Sequence, residues 1–181
     1  MVVTVAAVVS AAFVAVLLLA GTRAAFVDTT ENATNTYRAG DAVLSDDDAG
    51  SVLFDIANLA PGDARTRCIS VDYTGSLTAD VRLYGEVGGN GLADFLDVDI
   101  EAGTGGSATS CLGFVASSPL FSGTLAEFGI AHTRYANGLG GFTGATDPAS
   151  RTYRISVALR DDNAAQGRSA TAGFTWEAQS A

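Results

Sequence analysis

The chain contains no lysine; all ten of its positive residues are arginine. That absence excludes Schiff-base catalysis, a Walker-type phosphate loop and lysine–asparagine isopeptide cross-links, each of which needs a lysine amine. Histidine is almost absent as well. The one copy, His132 in "GIAHTRYANG", cannot supply a zinc-protease helix, which needs two histidines one turn apart with a glutamate between them. It reads as a structural or loop residue. No stretch resembles a nucleophile elbow. No catalytic residue, metal ligand or cofactor is therefore assigned, and the chain reads as a non-enzyme. Basic clusters are missing too. Twenty acids against ten arginines give a formal net charge of −10, which repels nucleic acid and anionic lipid. No nucleic-acid partner is expected.

Residues Val2 to Ala20 are apolar apart from Thr4 and Ser10. Such a run is the core of a secretory leader or a membrane span. The first positive residue is Arg23, so the usual leading charge is missing. Thr22 and Ala24 are small and suit the −3 and −1 positions of a cut between Ala24 and Ala25. The expected organisation is a signal peptide over 1–24, helical and apolar, and one domain over 25–181. A retained anchor is the alternative, and any membrane contact is expected only through the uncut leader. The chain length suits one domain, and secretion to the extracellular space or cell surface follows. In that setting the even pair Cys68 and Cys111 is more often a disulfide than a metal or redox site.

After the leader the sequence alternates with period two. In "RTYRISVALRDD", Tyr153, Ile155, Val157 and Leu159 share one face, and Thr152, Arg154, Ser156 and Arg160 the other. "ADVRLYGEV" sets Val81, Leu83 and Val87 against Asp80, Arg82 and Glu86. "FLDVDIEAG" sets Leu96, Val98 and Ile100 against Asp97, Asp99 and Glu101. "RTRCISVDYTG" places Ile69, Val71 and Tyr73 inward and Cys68 outward; "TAGFTWEA" aligns Phe174 with Trp176; "SVLFDIANL" offers Val52, Phe54 and Ile56. These are six strands, each with one wet face. "APGD", "TGSL", "GGNG" and "TDPAS" read as turns between them. "GLADFLD" suits a single helical turn, and a short helix is expected from Thr124, ending before Gly138. One-faced strands in such numbers bury their apolar sides against one another, so the expected fold is all-β: a jelly-roll-like antiparallel β-sandwich with short helical insertions.

Three acidic clusters remain: Asp46–Asp48, Asp97 with Asp99 and Glu101, and Asp161–Asp162 with Asn163. The first and last sit at strand ends, where loops could converge on calcium. None has EF-hand spacing, and alternating acids on a strand face are ordinarily solvated. "GLGGFTG" and "GTGGSATS" lack the strand-before, helix-after context of a phosphate loop and read as flexible surface loops. Asn32-Ala33-Thr34 matches the short N-glycosylation pattern.

The stretch "AAFVDTTENATNTYRAGDAVLSDDD" resembles the start of the mature TasA/camelysin-like proteins, exported through a dedicated signal peptidase to build biofilm fibres. Phe26, Asp28 and Thr29 fit the aromatic-x-Asp-Thr segment after the cut. Asn35, Tyr37, Ala39 and Gly40 fit the Asn-x-aromatic-x-Ala-Gly that follows. "NLAPGD", "YTGSL" and "GFTWEA" resemble later turns and the closing strand, while the middle of the chain looks more like an actinobacterial branch. The resemblance implies a secreted fibre or biofilm-matrix subunit that self-associates, with signal peptidase and other matrix proteins as partners. The family also carries a metallopeptidase label. A monomeric surface adhesin or ligand-binding sandwich is the other alternative. The residues Ala25, Phe26, Val27, Asp28, Thr29 and Thr30 are expected to form an assembly strand donated to a neighbouring subunit, with Phe26 as the apolar plug.

Overall fold

The computed structural model describes residues 41–51, 53–54, 59–144 and 149–180. The signal peptide, the Ala24–Ala25 cut and the assembly strand Ala25–Thr30 all lie outside the described residues. Eight strands are present: β1 (Leu44–Asp46), β2 (Ala64–Tyr73), β3 (Ala79–Gly89), β4 (Leu96–Thr104), β5 (Val115–Thr124), β6 (Leu139–Gly144), β7 (Ala149–Leu159) and β8 (Ala170–Ser180). They form two antiparallel sheets, β1-β2-β7-β4-β5 and β6-β3-β8, packed as a sandwich. A jelly roll whose strands are numbered along the chain has sheets ordered 2-7-4-5 and 1-8-3-6. This protein follows that order with one departure: β1 lies beside β2, and the place beside β8 has no strand among the described residues.

The alternation read from sequence sets the interior. Ile69, Val71 and Tyr73 of β2, Val81 and Leu83 of β3, Val98 and Ile100 of β4, and Tyr153 and Ile155 of β7 are all at most 2% exposed. The helix α1 (Leu125–Ala131) links the two sheets. Its N-terminus carries a capping box: the Thr124 hydroxyl accepts from the Glu127 amide, and the Glu127 carboxylate accepts from the Thr124 amide. These bonds satisfy two of the amide donors a helix start leaves open. α1 drives Phe128, fully buried, into the end of the core. A side chain at Gly85 would collide with the Gly173 carbonyl and come within 3.0 Å of the Phe128 ring. The bare backbone at Gly85 is therefore what admits Phe128. "GLADFLD" forms the expected single turn, a 3₁₀ helix over Leu92–Phe95.

Five of the six expected strands are present, and three observed strands were not expected. Ser51, Leu53, Phe54 and Leu59 are in no strand, which corrects the reading of "SVLFDIANL"; Val52 and Ile56 of that stretch lie outside the described residues. β5 holds Pro119 and no clean alternation, which an edge strand tolerates; its pairing with β4 is broken by two register shifts. β6 is the glycine-rich "LGGFTG", read from sequence as loop. It is a strand because glycine permits close approach: a side chain at Gly144 would strike the Tyr73 ring, and one at Gly141 the Tyr153 hydroxyl. β1 spans only three residues, too few to show a period.

The outer face of the five-stranded sheet is not wholly wet. Cys68 and Cys111 are joined in a disulfide, Cα–Cα 5.3 Å, which pins the β4–β5 hairpin to β2. Phe114 of that hairpin lies against Gly103, with the Arg154 guanidinium 4.7 Å from its ring centre. Asp47 adds a second tie, accepting from the Ser70 amide at 2.8 Å and from the Ala108 amide of the hairpin at 2.9 Å. Beneath this cover Cys68 is 1% exposed and Thr152 4%, so Thr152 is buried and not on a wet face. The bridge closes a separation of 43 residues. Replacing both cysteines by serine is expected to lower the unfolding free energy by about 2–4 kcal/mol. Urea denaturation monitored by circular dichroism reads this, and an unchanged midpoint would contradict it.

Candidate functional site: an apolar groove beside the last strand

β8 pairs with β3 through eleven registered residue pairs, Ala79↔Ser180 to Gly89↔Ala170. Its other edge has no partner strand among the described residues. A strand edge presents a row of unpaired N–H and C=O groups. The side chains on its inner face tell the same story. Across the ladder, Val81 and Leu83 of β3 are sealed. Phe174 and Trp176 of β8 are only half-buried, and Ala172 is exposed.

The uncovered surface forms a groove of about 540 Å³. Ile69 of β2 and Val157 of β7 reach it from the facing sheet. Leu92, Leu96 and Leu125 line it, and the β1–β2 connection contributes Asp48, Ser51, Leu53, Phe54 and Leu59. Along β8 the lining changes size: alanines at 170 and 172, then Phe174 and Trp176. The groove therefore has room at its Ala170 end and narrows toward its Trp176 end. The buried Trp176 Nε1 faces the Tyr153 hydroxyl, and among the described residues neither atom has any other hydrogen-bond partner. Its ring stands 5.3 Å from that of Tyr153, whose phenol burial pushes up to about 12.

The three acids of the first cluster have separate tasks. Asp47 holds two backbone amides, as described above. The Asp48 carboxylate accepts from the Gly50 amide at 2.7 Å and borders the groove. The Asp46 carboxyl titrates above the ordinary carboxylate value of 3.8, chiefly through partial burial and then through hydrogen bonding with Asp48 and its charge. Elsewhere, Arg154 donates to Glu101 at 2.7 Å and Arg160 to Asp97 at 2.8 Å, and Asp162 caps a 3₁₀ turn through the Ala164 amide. Among the described residues no group of three or more histidine, cysteine, aspartate or glutamate side chains is placed to hold a metal ion. His132 sits edge-on to Phe121, with Nδ1 2.6 Å from the Asn137 carbonyl oxygen. It serves to lock the turn after α1.

Cys68 and Cys111 are brought together. The position of β8 at the end of its sheet among the described residues was not foreseen, because local alternation shows which residues face inward but not which strand ends a sheet. The half-apolar, small-then-large run "ATAGFTW" was the available signal. No described helix is long and apolar enough to cross a membrane.

A family model described as Camelysin metallo-endopeptidase matches residues 3–88. No curated protein matches the chain. The description implies a metal, and the described residues do not fit one. The single histidine lies outside the matched region with Nδ1 engaged, and Asp47, Asp48, Asp97, Glu101 and Asp162 hold backbone amides or arginines.

A carboxyl whose pKa is raised on folding costs stability once ionised, and costs none where both folded and unfolded forms are protonated. Asp46→Asn is therefore expected to raise the thermal midpoint at about pH 7, with the gain shrinking as pH falls through and below the ordinary aspartate range near 4. Melting curves of both proteins across that range test it; a midpoint difference that does not change with pH would contradict it.

Proposed function

We propose that this chain, whose residues 3–88 match the camelysin family model and whose start resembles TasA/camelysin-like proteins, is an exported structural subunit of an extracellular fibre or biofilm matrix. Copies join by donor-strand exchange: the N-terminal segment of one copy completes the sandwich of the next. The observation that carries this reading is the outer edge of β8, which has no partner strand among the described residues and lies beside an apolar groove. An extended segment seated there gains backbone hydrogen bonds from the edge and buries apolar side chains, the two contributions of strand addition. Among the described residues no strand occupies the place that a jelly roll gives to its first strand.

The donor is the segment beginning Ala25–Thr30. The stretch from Ala25 to Arg38 holds neither proline nor glycine, so nothing in it interrupts a strand. Sixteen residues separate the proposed cut from Asp41, a reach of about 50 Å when extended. That exceeds the roughly 36 Å spanned by an eleven-residue strand such as β8. While the leader is attached, the donor is tethered to the membrane. Cutting by signal peptidase frees it, which places assembly outside the cell. Other matrix proteins offering a similar strand could enter the same groove.

The family description supports a second reading, a secreted metallo-endopeptidase. Casein hydrolysis by the purified protein, abolished by a chelator and restored by zinc, would favour it over the fibre.

Protein beginning at Ala25 is expected to form filaments visible by negative-stain microscopy. Deleting the whole donor stretch, residues 25–38, is expected to leave a folded monomer that forms none, with an unchanged circular dichroism spectrum. Polymerisation of the truncated protein equal to that of the parent would refute strand donation.

A further inference from the structure

We propose, on the donor-strand reading above, that the arriving strand runs antiparallel to β8 and seats Tyr37 of a second copy in the wide Ala170–Ala172 end of the groove. Tyr37, and not Phe26, is then the anchor.

Direction follows from topology. All strand pairs in both sheets are antiparallel, and a strand completing the jelly-roll order beside β8 is antiparallel too. The described chain begins at Asp41, whose carbonyl accepts from the Ser76 and Leu77 amides of the β2–β3 turn. That turn leads into Ala79, which pairs with Ser180. The root of the arm therefore lies at the Ser180 end of β8. Laid straight along its own β8, the arm could only run parallel to it. Coming from a second copy, it can run antiparallel, and its root then emerges at the Ala170 end of the acceptor. The Ser180 end of each donor thus abuts the Ala170 end of the next subunit. This contact is heterologous and head-to-tail, the kind that propagates as an open filament.

Facing follows from parity. In an extended segment alternate residues share a face. Ala25, Val27, Ala33, Tyr37 and Ala39 are all odd-numbered, so the apolar side chains collect on one face together with Thr29, Glu31 and Asn35. The other face carries Phe26 followed by Asp28, Thr30, Asn32, Thr34 and Thr36. Each face carries one carboxylate, Asp28 or Glu31, so the apolar content decides: turned inward, the Phe26 face offers no apolar residue after Phe26, whereas the other face brings Val27, Ala33, Tyr37 and Ala39.

Register follows from size. Running antiparallel, the four-residue step from Tyr37 to Ala33 matches the step from Ala170 to Phe174. The large side chain then meets the small one and the small meets the large, as packed layers require.

The single tryptophan of the chain, Trp176, gives a direct readout. A synthetic peptide of residues 25–38 contains none. Titrated into protein beginning at Ala25, held dilute enough to be monomeric by light scattering, it is expected to shift Trp176 emission saturably. The Tyr37→Ala peptide is expected to bind about tenfold or more weakly. The Phe26→Ala peptide is expected to bind within about twofold of the parent. Ala172 is exposed, so Ala172→Phe is expected to fold, as checked by its melting curve, and to lose both peptide binding and filament growth. The proposal is overturned if Phe26→Ala weakens binding more than Tyr37→Ala, if Ala172→Phe binds the peptide as tightly as the parent, or if no peptide binds. A peptide response as expected from a protein that forms no filament would refute the fibre function and leave the seating of Tyr37 standing.

Discussion

Among the described residues a three-stranded sheet packs on a five-stranded one and leaves part of its inner face with no strand opposite. The mismatch falls where β8 ends its sheet while Ile69 and Val157 continue opposite. At the other side of the small sheet β6 closes the sandwich, because its glycines let it pass against Tyr73 and Tyr153. At the β8 side no described strand does so. Unpaired backbone and half-covered aromatics on one line are a hazard that folded proteins ordinarily blunt with charge, proline or bulges. β5, the edge of the larger sheet, is blunted in that way by Pro119 and two register shifts. β8 carries no proline, and its pairing with β3 runs without a register shift. The contrast between the two edges is the strongest physical reason to assign β8 to binding.

The remaining ties keep that edge in place. The disulfide and Asp47 fix the β4–β5 hairpin to β2 from outside, and the capping box sets α1 so that Phe128 meets Phe174 at 5.5 Å. β8 is thus held from one side by its full ladder with β3 and from within by aromatic packing. A rigid acceptor of this kind does not have to be ordered when a strand arrives, which lowers the entropic cost of association.

Much of the sandwich was legible, because one-faced strands declare themselves by period two: Tyr153, Ile155, Val157 and Leu159 needed no tertiary information. The disulfide was legible from cysteine count and leader. The illegible parts share a cause. Gly141 and Gly144 let β6 run as a strand only because they pass close against Tyr153 and Tyr73. Cys68 and Thr152 are buried on an outward face only because a hairpin distant in sequence folds over it. "SVLFDIANL" has a strand-like alternation, yet its described residues line a groove without joining a ladder. The edge position of β8 is a property of sheet order, and no local pattern encodes sheet order.

The acidic charge and the proposed strand exchange act on different length scales. With a formal net charge of −10 and no lysine, copies repel one another over roughly the Debye length, about 8 Å at physiological salt. On the outer sheet face, Arg154 and Arg160 are already committed to Glu101 and Asp97, so that face offers few free cations to bridge two acidic bodies. A donated strand supplies its attraction through backbone hydrogen bonds and apolar contact inside the groove, where repulsion between outer faces has little purchase. Short-range attraction at one narrow seam, with general repulsion elsewhere, favours one partner at each end of a subunit over lateral clumping. The acidic surface and the proposed strand exchange are therefore compatible with one another.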